Sequence, residues 1–425
     1  MKVLVVGGGG REHALCWALA RSATVYCAPG NPGTAQLGTN VRVSPTDQEG
    51  VLRTIREHKI DFTVIGPEAP LAEGIVDYLA TAGHPAFGPT AAAARLEASK
   101  AYAKEVMAAA GVPTAESQTF TEEAPALDYV ARHPEPLVVK ASGLAAGKGA
   151  IVCETREQAK GAVSEMLGGR FGDAGRTVVI EDYLSGEELS ILAVTDGEDM
   201  MLLPASQDHK RIGEGDTGPN TGGMGAYTPV SIVDESVIEQ VQTQILQPVL
   251  RQLASAGIPY RGVLYAGLVI QEDGNLSVLE FNCRFGDPEA QVVLPASDMD
   301  LAEIMWRIAS GEPWRPEPVV SPASRAAVTT VLAAHGYPGT PLRGSQIHVP
   351  SELPAETLLF HAGTTLDEGK VLRTAGGRVL CATGLGRTVV EAAERSRELA
   401  EHITFEGRQY RRDIAWREVA RAGTP

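Results

Sequence analysis

This sequence of 425 residues lacks long apolar runs and contains little cysteine. No segment approaches the length needed to cross a bilayer, and residues 1–6 lead straight into glycines, too short an apolar stretch for a signal peptide. The five cysteines are scattered, with no Cys-x-x-Cys pair and no cluster with histidine. We therefore expect a reduced, cytoplasmic protein without a structural zinc site.

Basic residues are also in short supply. Lysine and arginine total 37 against 53 aspartates and glutamates, which gives a formal net charge of −16. Such a surface repels nucleic acids and anionic membranes, so neither is an expected partner. An anionic small-molecule substrate must then be bound by cations that are gathered locally. The hydrophobic fraction of 44% is that of an ordinary globular protein.

Strand and helix patterns alternate over roughly the first hundred residues. Apolar runs at residues 3–6, 24–28 and 61–65 predict buried parallel strands, and residues 12–21 predict a helix after the first strand. This alternation is typical of a doubly wound parallel sheet. A single helix is predicted to follow over residues 91–110, ending at a glycine that precedes a proline.

The pattern changes from residue 137 onward, where predicted strands follow one another closely. Strands are predicted over residues 137–140, 150–153, 177–181, 189–195, 200–204, 265–271, 276–282 and 326–332. Helices are predicted over residues 156–167 and 388–400. The first five strands and the first helix form a mixed α/β unit able to move as a lid. A proline-rich break at residues 312–318 predicts a boundary before a small α+β unit.

Residues 207–226 form the most informative stretch of the chain. They are too polar and glycine-rich for a core, and too densely charged for a passive linker. Successive glycines turn backbone N–H groups into one concavity, which suits an anion. Asp208, Lys210 and Arg211 lie beside these glycines, so the stretch predicts a substrate-binding loop rather than a solvated one.

Two lysines flank a second glycine-rich loop. Lys140 ends a predicted strand, and Lys148 lies in a Gly-Lys-Gly sequence further along. Two ammonium groups beside a flexible backbone suit the phosphates of a nucleotide. Residue 149 is glycine, so this is not a P-loop, which requires serine or threonine there. A hairpin with exposed lysines is an equal alternative.

Oxygen-rich side chains end two further strands. Glu280 and Asn282 project from the same strand face, and their oxygens are ligands that Mg²⁺ takes, with phosphates completing its shell. The alternative is a structural ion pair between Glu280 and Arg284. Residues 181–184 end the other strand and offer their backbone to an adenine edge, with Glu188 accepting from ribose hydroxyls. An acidic surface turn is the alternative there.

The glycine turn at residues 7–10 does not predict NAD binding. Glu12 or His13 occupies the third glycine position of the dinucleotide fingerprint, and the second strand ends without the acid that binds a ribose. The N-terminus of the following helix, with Arg11 or His13 nearby, suits a bound phosphate. His13 as a core residue is an equal alternative. Glu68 follows the third strand at the carboxyl edge of the sheet.

Taken together, these motifs resemble the phosphoribosylamine–glycine ligases (glycinamide ribonucleotide synthetases), a family of the ATP-grasp superfamily. The resemblance covers nearly the whole chain. It is carried by residues 9–15, 66–71, 99–100, 143–149, 208–211, 218–225, 284–289, 336–339, 361–364, 376–380 and 411–414. One departure is Ser142, where the family more often has aspartate. We expect that change to affect a local hydrogen bond and not the activity.

The resemblance implies that ATP is split to ADP and phosphate while glycine is joined to 5-phosphoribosylamine through glycyl phosphate, a step of purine biosynthesis. It implies ATP contacts from Lys100, Lys140, Gly147, Lys148, Gly149, Glu181, Asp182, Leu184 and Glu188. It implies substrate contacts from Gly9, Arg11, Glu12, His13, Glu68, His209, Asn220, Thr221, Gly222 and Gly223. The implied catalytic residues are Asp208, Lys210, Arg211, Arg284 and Asp287. The implied ligands of Mg²⁺ or Mn²⁺ are Glu280 and Asn282.

The resemblance also implies a monomer with an α/β and α+β multidomain architecture. The N-terminal doubly wound domain is expected over residues 1–102 and the ATP-grasp domain over 103–312, with its lid at about 121–190. A proline-rich linker is expected over 313–324 and a C-terminal α+β domain over 325–425. Two alternatives stay open: another ATP-grasp carboxylate–amine ligase, and a nucleotide-binding protein without turnover.

Overall fold

The computed structural model describes residues 1–145, 147–316, 320–321 and 323–423. Part of the linker expected over residues 313–324, and residue 146 of the glycine-rich loop, lie outside the described residues. Of the helices in these ranges, none combines the length and the apolar character that crossing a bilayer requires.

Five parallel strands form the N-terminal sheet, as the alternating pattern predicts. In spatial order they are Thr39–Asn40, Thr24–Pro29, Lys2–Gly7, Phe62–Ile65 and Ala86–Phe87. The chain order reverses beside Lys2–Gly7, so the carboxyl ends of Lys2–Gly7 and Phe62–Ile65 flank the point where such sheets bind ligands. The helices of this unit are Gly10–Leu19, Thr34–Leu37, Gln48–His58, Glu68–Ala72 and Ile75–Thr81.

The first strand shows why an unbroken apolar run becomes the centre of this sheet. Val3 and Val5 belong to one buried cluster, while Leu4 and Val6 belong to another on the opposite face. Successive side chains of a strand point to opposite faces, so a strand covered on both sides must be apolar at every position.

The prediction of a single helix over residues 91–110 is wrong. Two helices, Ala91–Ala98 and Lys100–Ala110, meet at Ser99, whose backbone is extended with φ −140° and ψ 106°. The Ser99 hydroxyl accepts a hydrogen bond from the Tyr102 N–H at 3.3 Å. Serine is a strong N-cap, so it starts a new helix within an alanine-rich run that otherwise favours one continuous helix.

The lid is a separate antiparallel sheet with a core of its own. In spatial order its strands are Ser117–Phe120, Val178–Asp182, Leu137–Ala141 and Ala150–Cys153. Helices Glu123–Arg132 and Arg156–Glu165 contribute apolar side chains to that core. The second helix ends two residues earlier than predicted, at a π-helical turn over Met166–Arg170.

A second antiparallel sheet adjoins the lid and is buried on both faces. In spatial order its strands are Met200–Leu202, Glu187–Thr195, Gly262–Ile270 and Leu276–Asn282. Glu187–Thr195 was expected in the lid, but it pairs along its whole length with Gly262–Ile270. Leu192 faces one apolar cluster and Ile191 another, and burial on both faces fixes this strand inside the central sheet. The helices around it are Ala91–Ala98, Lys100–Ala110, Glu235–Gln240, Gln247–Ser255, Ala290–Val293 and Leu301–Ser310, with a π-helical turn at Val241–Leu246.

A third antiparallel sheet joins the C-terminal part of the chain to residues 207–228. In spatial order its strands are Gln207–Asp208, Gly225–Thr228, Ala326–Ala333, Arg378–Gly386 and Thr357–His361. Residues 207–226 are therefore not a simple loop, because they include strand Gln207–Asp208 and a ribbon of Arg211–Gly213 paired with Thr217–Asn220. The remaining elements are strands Thr364–Leu366 and Leu372–Thr374 and helices Val389–His402 and Trp416–Ala422.

Candidate active site

A cavity of about 420 Å³ lies where the N-terminal unit, the lid, the central sheet and the C-terminal unit meet. Most of the predicted site residues line it. They are Arg11, Glu68, Lys100, Lys140, Gly147, Gly149, Glu181, Asp182, Leu184, Glu188, Asp208, Lys210, Asn220, Thr221, Gly222, Glu280, Asn282, Arg284 and Asp287. Those outside the lining are Gly9, Glu12, His13, Lys148, His209, Arg211 and Gly223.

The lid and the central sheet contribute apolar walls to the cavity. These side chains are Val138, Val152, Val179, Val269, Leu279 and Phe281. Asp182 ends a lid strand, Leu184 lies in the connection from that strand to the central sheet, and both line the cavity. The backbone N–H and C=O of Leu184 have no hydrogen-bond partner among the described residues. Apolar walls beside an unpaired backbone donor and acceptor suit a flat heteroaromatic base.

Glu181 holds two lysines in the cavity wall. Its buried carboxylate pairs with Lys140 on the neighbouring strand and with Lys104 at 2.7 Å. Lys140 also donates to the Leu279 carbonyl at 3.0 Å. Both oxygens of Glu181 are thus used within the protein, so its side chain supports the lysines. Sequence analysis missed Lys104, which no local motif marks.

Lys100 is a cation without a protein partner. Its ammonium makes no ion pair and no hydrogen bond within the part of the chain that the structure describes. Burial lowers the pKa of Lys100, Glu280 opposes that shift, and Lys140 reinforces it. Two neighbouring ammonium groups, of which Lys100 has no ion pair among the described residues, attract an anion to this part of the cavity.

Glu280 and Asn282 both face the cavity from strand Leu276–Asn282. Burial acts to raise the pKa of Glu280, but Lys210 and Lys100 outweigh it and hold that pKa below its usual value, so the carboxylate is charged. The Glu280 carboxylate accepts no hydrogen bond from any described residue. Its oxygens therefore remain available to a ligand from outside the chain.

The donor set at this strand fits a hard cation only in part. No group of three or more histidine, cysteine, aspartate or glutamate side chains able to hold a metal occurs within the described ranges. Carboxylate and amide oxygens from Glu280 and Asn282 supply two ligands of the kind that Mg²⁺ prefers. A metal here must complete its shell with oxygens from water and substrate, which is usual for Mg²⁺ at phosphates.

Asp208 ends the edge strand of the sheet that joins residues 207–228 to the C-terminal part of the chain, and Lys210 follows it. Both line the cavity. Burial raises the pKa of Asp208 to about 7, Lys210 opposes this shift, and Glu289 reinforces it. The Lys210 ammonium lies 4.0 Å from Asp208 Oδ1 and 2.5 Å from Glu188 Oε2. Although burial acts against it, pairing with these carboxylates raises the pKa of Lys210.

Arg284 is the centre of a partly buried ionic network. One terminal nitrogen donates to Glu97 Oε1 at 2.8 Å and to Asn282 Oδ1 at 3.0 Å, and its Nε lies 3.4 Å from Glu68 Oε2. The alternative ion pair between Glu280 and Arg284 is therefore not what forms. Burial raises the pKa of Glu97, although Arg284 opposes the shift. Sequence analysis missed Glu97, because nothing in its helix distinguishes it from a solvated glutamate.

Arg378 reaches the cavity from the C-terminal sheet, and sequence analysis did not predict it as a site residue. It pairs with Asp287 Oδ2 at 3.0 Å, donates to the Asp287 carbonyl at 2.6 Å and contacts the Gly222 carbonyl. The Gly222 N–H donates to the Tyr337 hydroxyl at 2.9 Å. The motif at residues 376–380 was the available signal, but only the folded chain brings Arg378 beside Asp287.

Gly9, Glu12 and His13 form the start of a helix rather than a wall of the cavity. Glu12 accepts from the Gly9 N–H and from Arg11 Nε, both at 2.6 Å. His13 is buried, and its Nδ1 accepts from the His361 N–H at 2.7 Å. The alternative in which His13 is a core residue is the one that agrees with the structure.

Three further predicted residues lie at the margin of the cavity. The Lys148 side chain is exposed on the lid loop, although both neighbouring glycines line the cavity. Arg211 donates to the Gly218 carbonyl at 2.8 Å and so braces its own ribbon. Gly223 has φ +106°, and an added Cβ would lie 2.4 Å from Pro288, so only glycine fits there.

Ser142 ties the lid to the helix that begins with Lys100. Its hydroxyl accepts from the Ala101 N–H at 3.1 Å and lies 3.3 Å from the Ser99 hydroxyl. Its carbonyl accepts from the Lys100 N–H at 2.8 Å. The Ser142 side chain therefore takes part in local hydrogen bonding at this junction.

Comparison with known proteins identifies this arrangement of units. Models of phosphoribosylglycinamide synthetase match in order along the chain: the N domain over residues 1–97, the ATP-grasp (A) domain over 98–290 and the C domain over 327–417. The chain belongs to the phosphoribosylglycinamide synthetase family. It is therefore a ligase of purine biosynthesis that uses ATP, and the resemblance drawn from its motifs is confirmed.

Individual relatives agree with the family match. The phosphoribosylamine–glycine ligases of Salmonella typhimurium and Escherichia coli K12 are each 48% identical over 428 residues, covering 99% of both chains. The crystal structure of that enzyme from Thermotoga maritima matches with a TM-score of 0.85 and 36% identity, over 98% of this chain and 100% of the other. These matches confirm the predicted multidomain α/β and α+β architecture.

A more distant structure shares the fold alone. The biotin carboxylase domain of Hydrogenobacter thermophilus 2-oxoglutarate carboxylase has a TM-score of 0.72 at 19% identity, over 96% of this chain and 91% of that chain.

We predict that Arg284→Lys lowers kcat/KM by more than about tenfold, because lysine cannot bridge Glu97, Glu68 and Asn282 as the planar guanidinium does. Steady-state kinetics measure the effect. Arg307→Lys, at an exposed pair with Glu303, is the matched control and should keep the parental kcat/KM. Unchanged kinetics in Arg284→Lys would remove this residue from the site.

His13 makes stability depend on pH. Burial lowers its pKa to about 3, and His361 adds to the shift. Below about pH 6.5, His13 binds a proton in the unfolded chain but stays neutral in the folded protein. The free energy of unfolding therefore falls as the pH falls toward 3. Between pH 6.5 and 5 the loss from this group amounts to at most about 2 kcal/mol.

We predict that His13→Gln loses less stability than the parent between pH 7 and pH 5, because glutamine carries no titratable group. Urea unfolding at the two pH values measures the difference. His402→Gln, on an exposed helix end, is the control and should match the parent. An equal pH dependence in His13→Gln and the parent would contradict the assignment.

Proposed function

We propose that this chain joins glycine to 5-phosphoribosylamine, with ATP split to ADP and phosphate and glycyl phosphate as the intermediate. The observation that carries the proposal is the cavity-facing carboxylate of Glu280, which feels the positive charges of Lys100, Lys140, Lys210 and Arg284 in one cavity. A cluster of this kind suits a polyphosphate held beside a carboxylate substrate. The family membership supports the same reaction.

The chemistry follows from the poor reactivity of a carboxylate. Its charge repels nucleophiles, and oxide is a poor leaving group. A glycine oxygen forms a bond to the γ-phosphorus of ATP as the bond to the bridging oxygen breaks, which releases ADP. The amine nitrogen of phosphoribosylamine then bonds to the glycyl carbon, phosphate leaves, and the amine loses a proton. Positioning and fixed charge supply most of the acceleration.

ATP lies between the lid and the central sheet in this proposal. Lys100, which has no partner within the described chain, and Lys140 contact its phosphates, and Lys148 reaches them when the lid loop closes. The adenine lies against the backbone from Asp182 to Leu184, which is why the unpaired groups of Leu184 matter. Glu188 contacts the ribose.

Mg²⁺ or Mn²⁺ is the proposed metal, with Glu280 and Asn282 as its protein ligands. When bound, it neutralises charge on the phosphates. Other residues of the chain prepare the two metal ligands. Arg284 donates a hydrogen bond to the amide oxygen of Asn282 at 3.0 Å, and the neighbouring lysines keep the Glu280 carboxylate ionised.

Glycine and phosphoribosylamine occupy the side of the cavity formed by residues 208–222 and Arg284. Asp208, whose pKa burial raises to about 7, is suited to accept the proton that the attacking amine loses. Lys210 and Arg284 offer positive charge to the carboxylate and phosphate groups. Asp287 acts beside them, held by Arg378.

The remaining predictions concern the state of the protein in the cell. A monomer in the cytoplasm without a nucleic-acid partner is proposed, and the net charge of −16 supports the last point. The domain boundaries drawn from the sequence stay predictions. Another ATP-grasp ligase, or a nucleotide-binding protein without turnover, would differ in which substrates trigger phosphate release.

Release of inorganic phosphate, with each substrate omitted in turn, tests the reaction. We predict release only when ATP, glycine and phosphoribosylamine are all present, because the acyl phosphate is sheltered from water until the amine arrives. Bicarbonate and D-alanine in place of glycine are the controls. Release with either of them instead of glycine would indicate a different ligase, and ATP binding with no release would indicate a protein without turnover.

We predict that Glu280→Gln abolishes the strengthening of ADP binding by Mg²⁺, because an amide is a far weaker metal ligand than a carboxylate. Calorimetric titration with ADP, with and without Mg²⁺, measures this independently of turnover. Glu272→Gln, exposed at the turn of the same hairpin, is the control. An undiminished Mg²⁺ effect in Glu280→Gln would place the metal elsewhere.

A further inference from the structure

Residues 411–414 carry part of the family resemblance, yet the proposed chemistry gives them no role. Arg411 is the largest side chain that is fully buried, with 1% of its surface exposed. Its guanidinium forms a fork with both carboxylate oxygens of Asp413 at 2.8 Å. It also donates to Asp216 Oδ1 at 2.8 Å and to the Arg211 carbonyl at 3.1 Å. A buried arginine with this many partners is fixed in place.

The contacts of Arg411 converge on one small element, the ribbon formed by Arg211–Gly213 and Thr217–Asn220. Asp413 also accepts from the Gly215 N–H at 2.8 Å, at the turn of that ribbon. Asp216, at the same turn, receives a second arginine, Arg417, at 2.6 Å. A two-stranded ribbon is at best marginally stable alone, so these contacts provide fastening that it needs.

His209 shows which side of the segment is fastened. Its Nε2 accepts from the Ala415 N–H at 2.9 Å, so the neutral ring carries its hydrogen on Nδ1, which lies 3.7 Å from Asp216 Oδ1. Asp208 and Lys210, on either side of His209, line the cavity, while His209 does not. Alternate residues of an extended chain face opposite ways. The C-terminal segment therefore contacts the side of residues 208–210 that points away from the cavity.

We propose that Arg411 is a positioning residue for the ligation reaction, acting through the ribbon of residues 211–220. By holding Asp216 at the turn and the Arg211 carbonyl at the open end, it fixes the end of the ribbon at which Arg211 pairs with Asn220 and where Lys210 also lies. This inference rests on the proposed function of the cavity. A loosened ribbon would misplace the groups around phosphoribosylamine and glycine while leaving the nucleotide walls of the lid and the central sheet intact.

The kinetic test compares Arg411→Met, Arg411→Lys and a control, Arg325→Met, which removes an exposed ion pair with Glu356 in the same C-terminal unit. Arg411→Met should lower kcat/KM for phosphoribosylamine by about tenfold or more, while its Kd for ADP stays within about twofold of the parent. Arg411→Lys should recover part of the loss, because an ammonium can still pair with Asp216. Arg325→Met should match the parent.

A second readout does not depend on the reaction. Arg411→Met should speed amide hydrogen exchange in residues 211–220 and leave the lid strand Leu137–Ala141 unchanged. If Arg411→Met does not fold, Asp216→Asn carries both measurements, since the Asp216 side chain is 25% exposed. If the parent itself lacks substrate-dependent phosphate release, the proposed function fails. Hydrogen exchange alone then still shows whether Arg411 holds the ribbon of residues 211–220 in place.

Two results would overturn the inference. Parental kcat/KM together with parental exchange in residues 211–220 would show that the ribbon holds its place without Arg411. A loss of ADP affinity as large as the loss in kcat/KM would show that Arg411 stabilises the whole protein rather than the face toward the substrates.

Discussion

Charge held out of water is the constraint on which this structure depends. Three lysines and Arg284 act on the cavity-facing carboxylate of Glu280, in a chain whose overall charge is −16. Removing an isolated ion from water costs several kcal/mol, so most of these cations need carboxylate partners. The partners come from separate parts of the chain: Glu181 from the lid, Glu97 from the helix before Ser99, and Glu188 from the central sheet. The cavity is therefore completed only when all the units are assembled.

Not every charged group in the cavity has a partner of opposite charge, and the unpaired groups indicate which ligand the cavity suits. Lys100 has no carboxylate within ion-pair distance in the described ranges, and Glu280 has no hydrogen-bond donor there. A free ammonium and a free carboxylate would lower their free energy by binding an anion and a cation respectively. A nucleotide polyphosphate with its metal meets both needs at once, and this agreement links the electrostatics of the fold to the chemistry of the family.

Local patterns predicted those features whose cause is local. The apolar run Lys2–Gly7 and the hairpin that ends at Asn282 were both visible in the sequence, because burial and turn geometry act on neighbouring residues. The site residues Glu97 and Arg378 were missed, because each acquires its role from segments far away in the chain. The helix break at Ser99 was also missed, although its cap is local, because the alanine-rich run around it favours one continuous helix. Glycine-rich and charged motifs marked the site; the ion pairs that organise it required the folded chain.

The cavity between the lid and the central sheet is the proposed binding place of ATP and its metal. A crystal structure with Mg²⁺ and a non-hydrolysable ATP analogue tests that claim most directly. We expect the triphosphate within hydrogen-bond distance of Lys100 and Lys140, and the metal on Glu280 and Asn282. A triphosphate bound outside this cavity, or a metal that makes no contact with Glu280, would contradict the account.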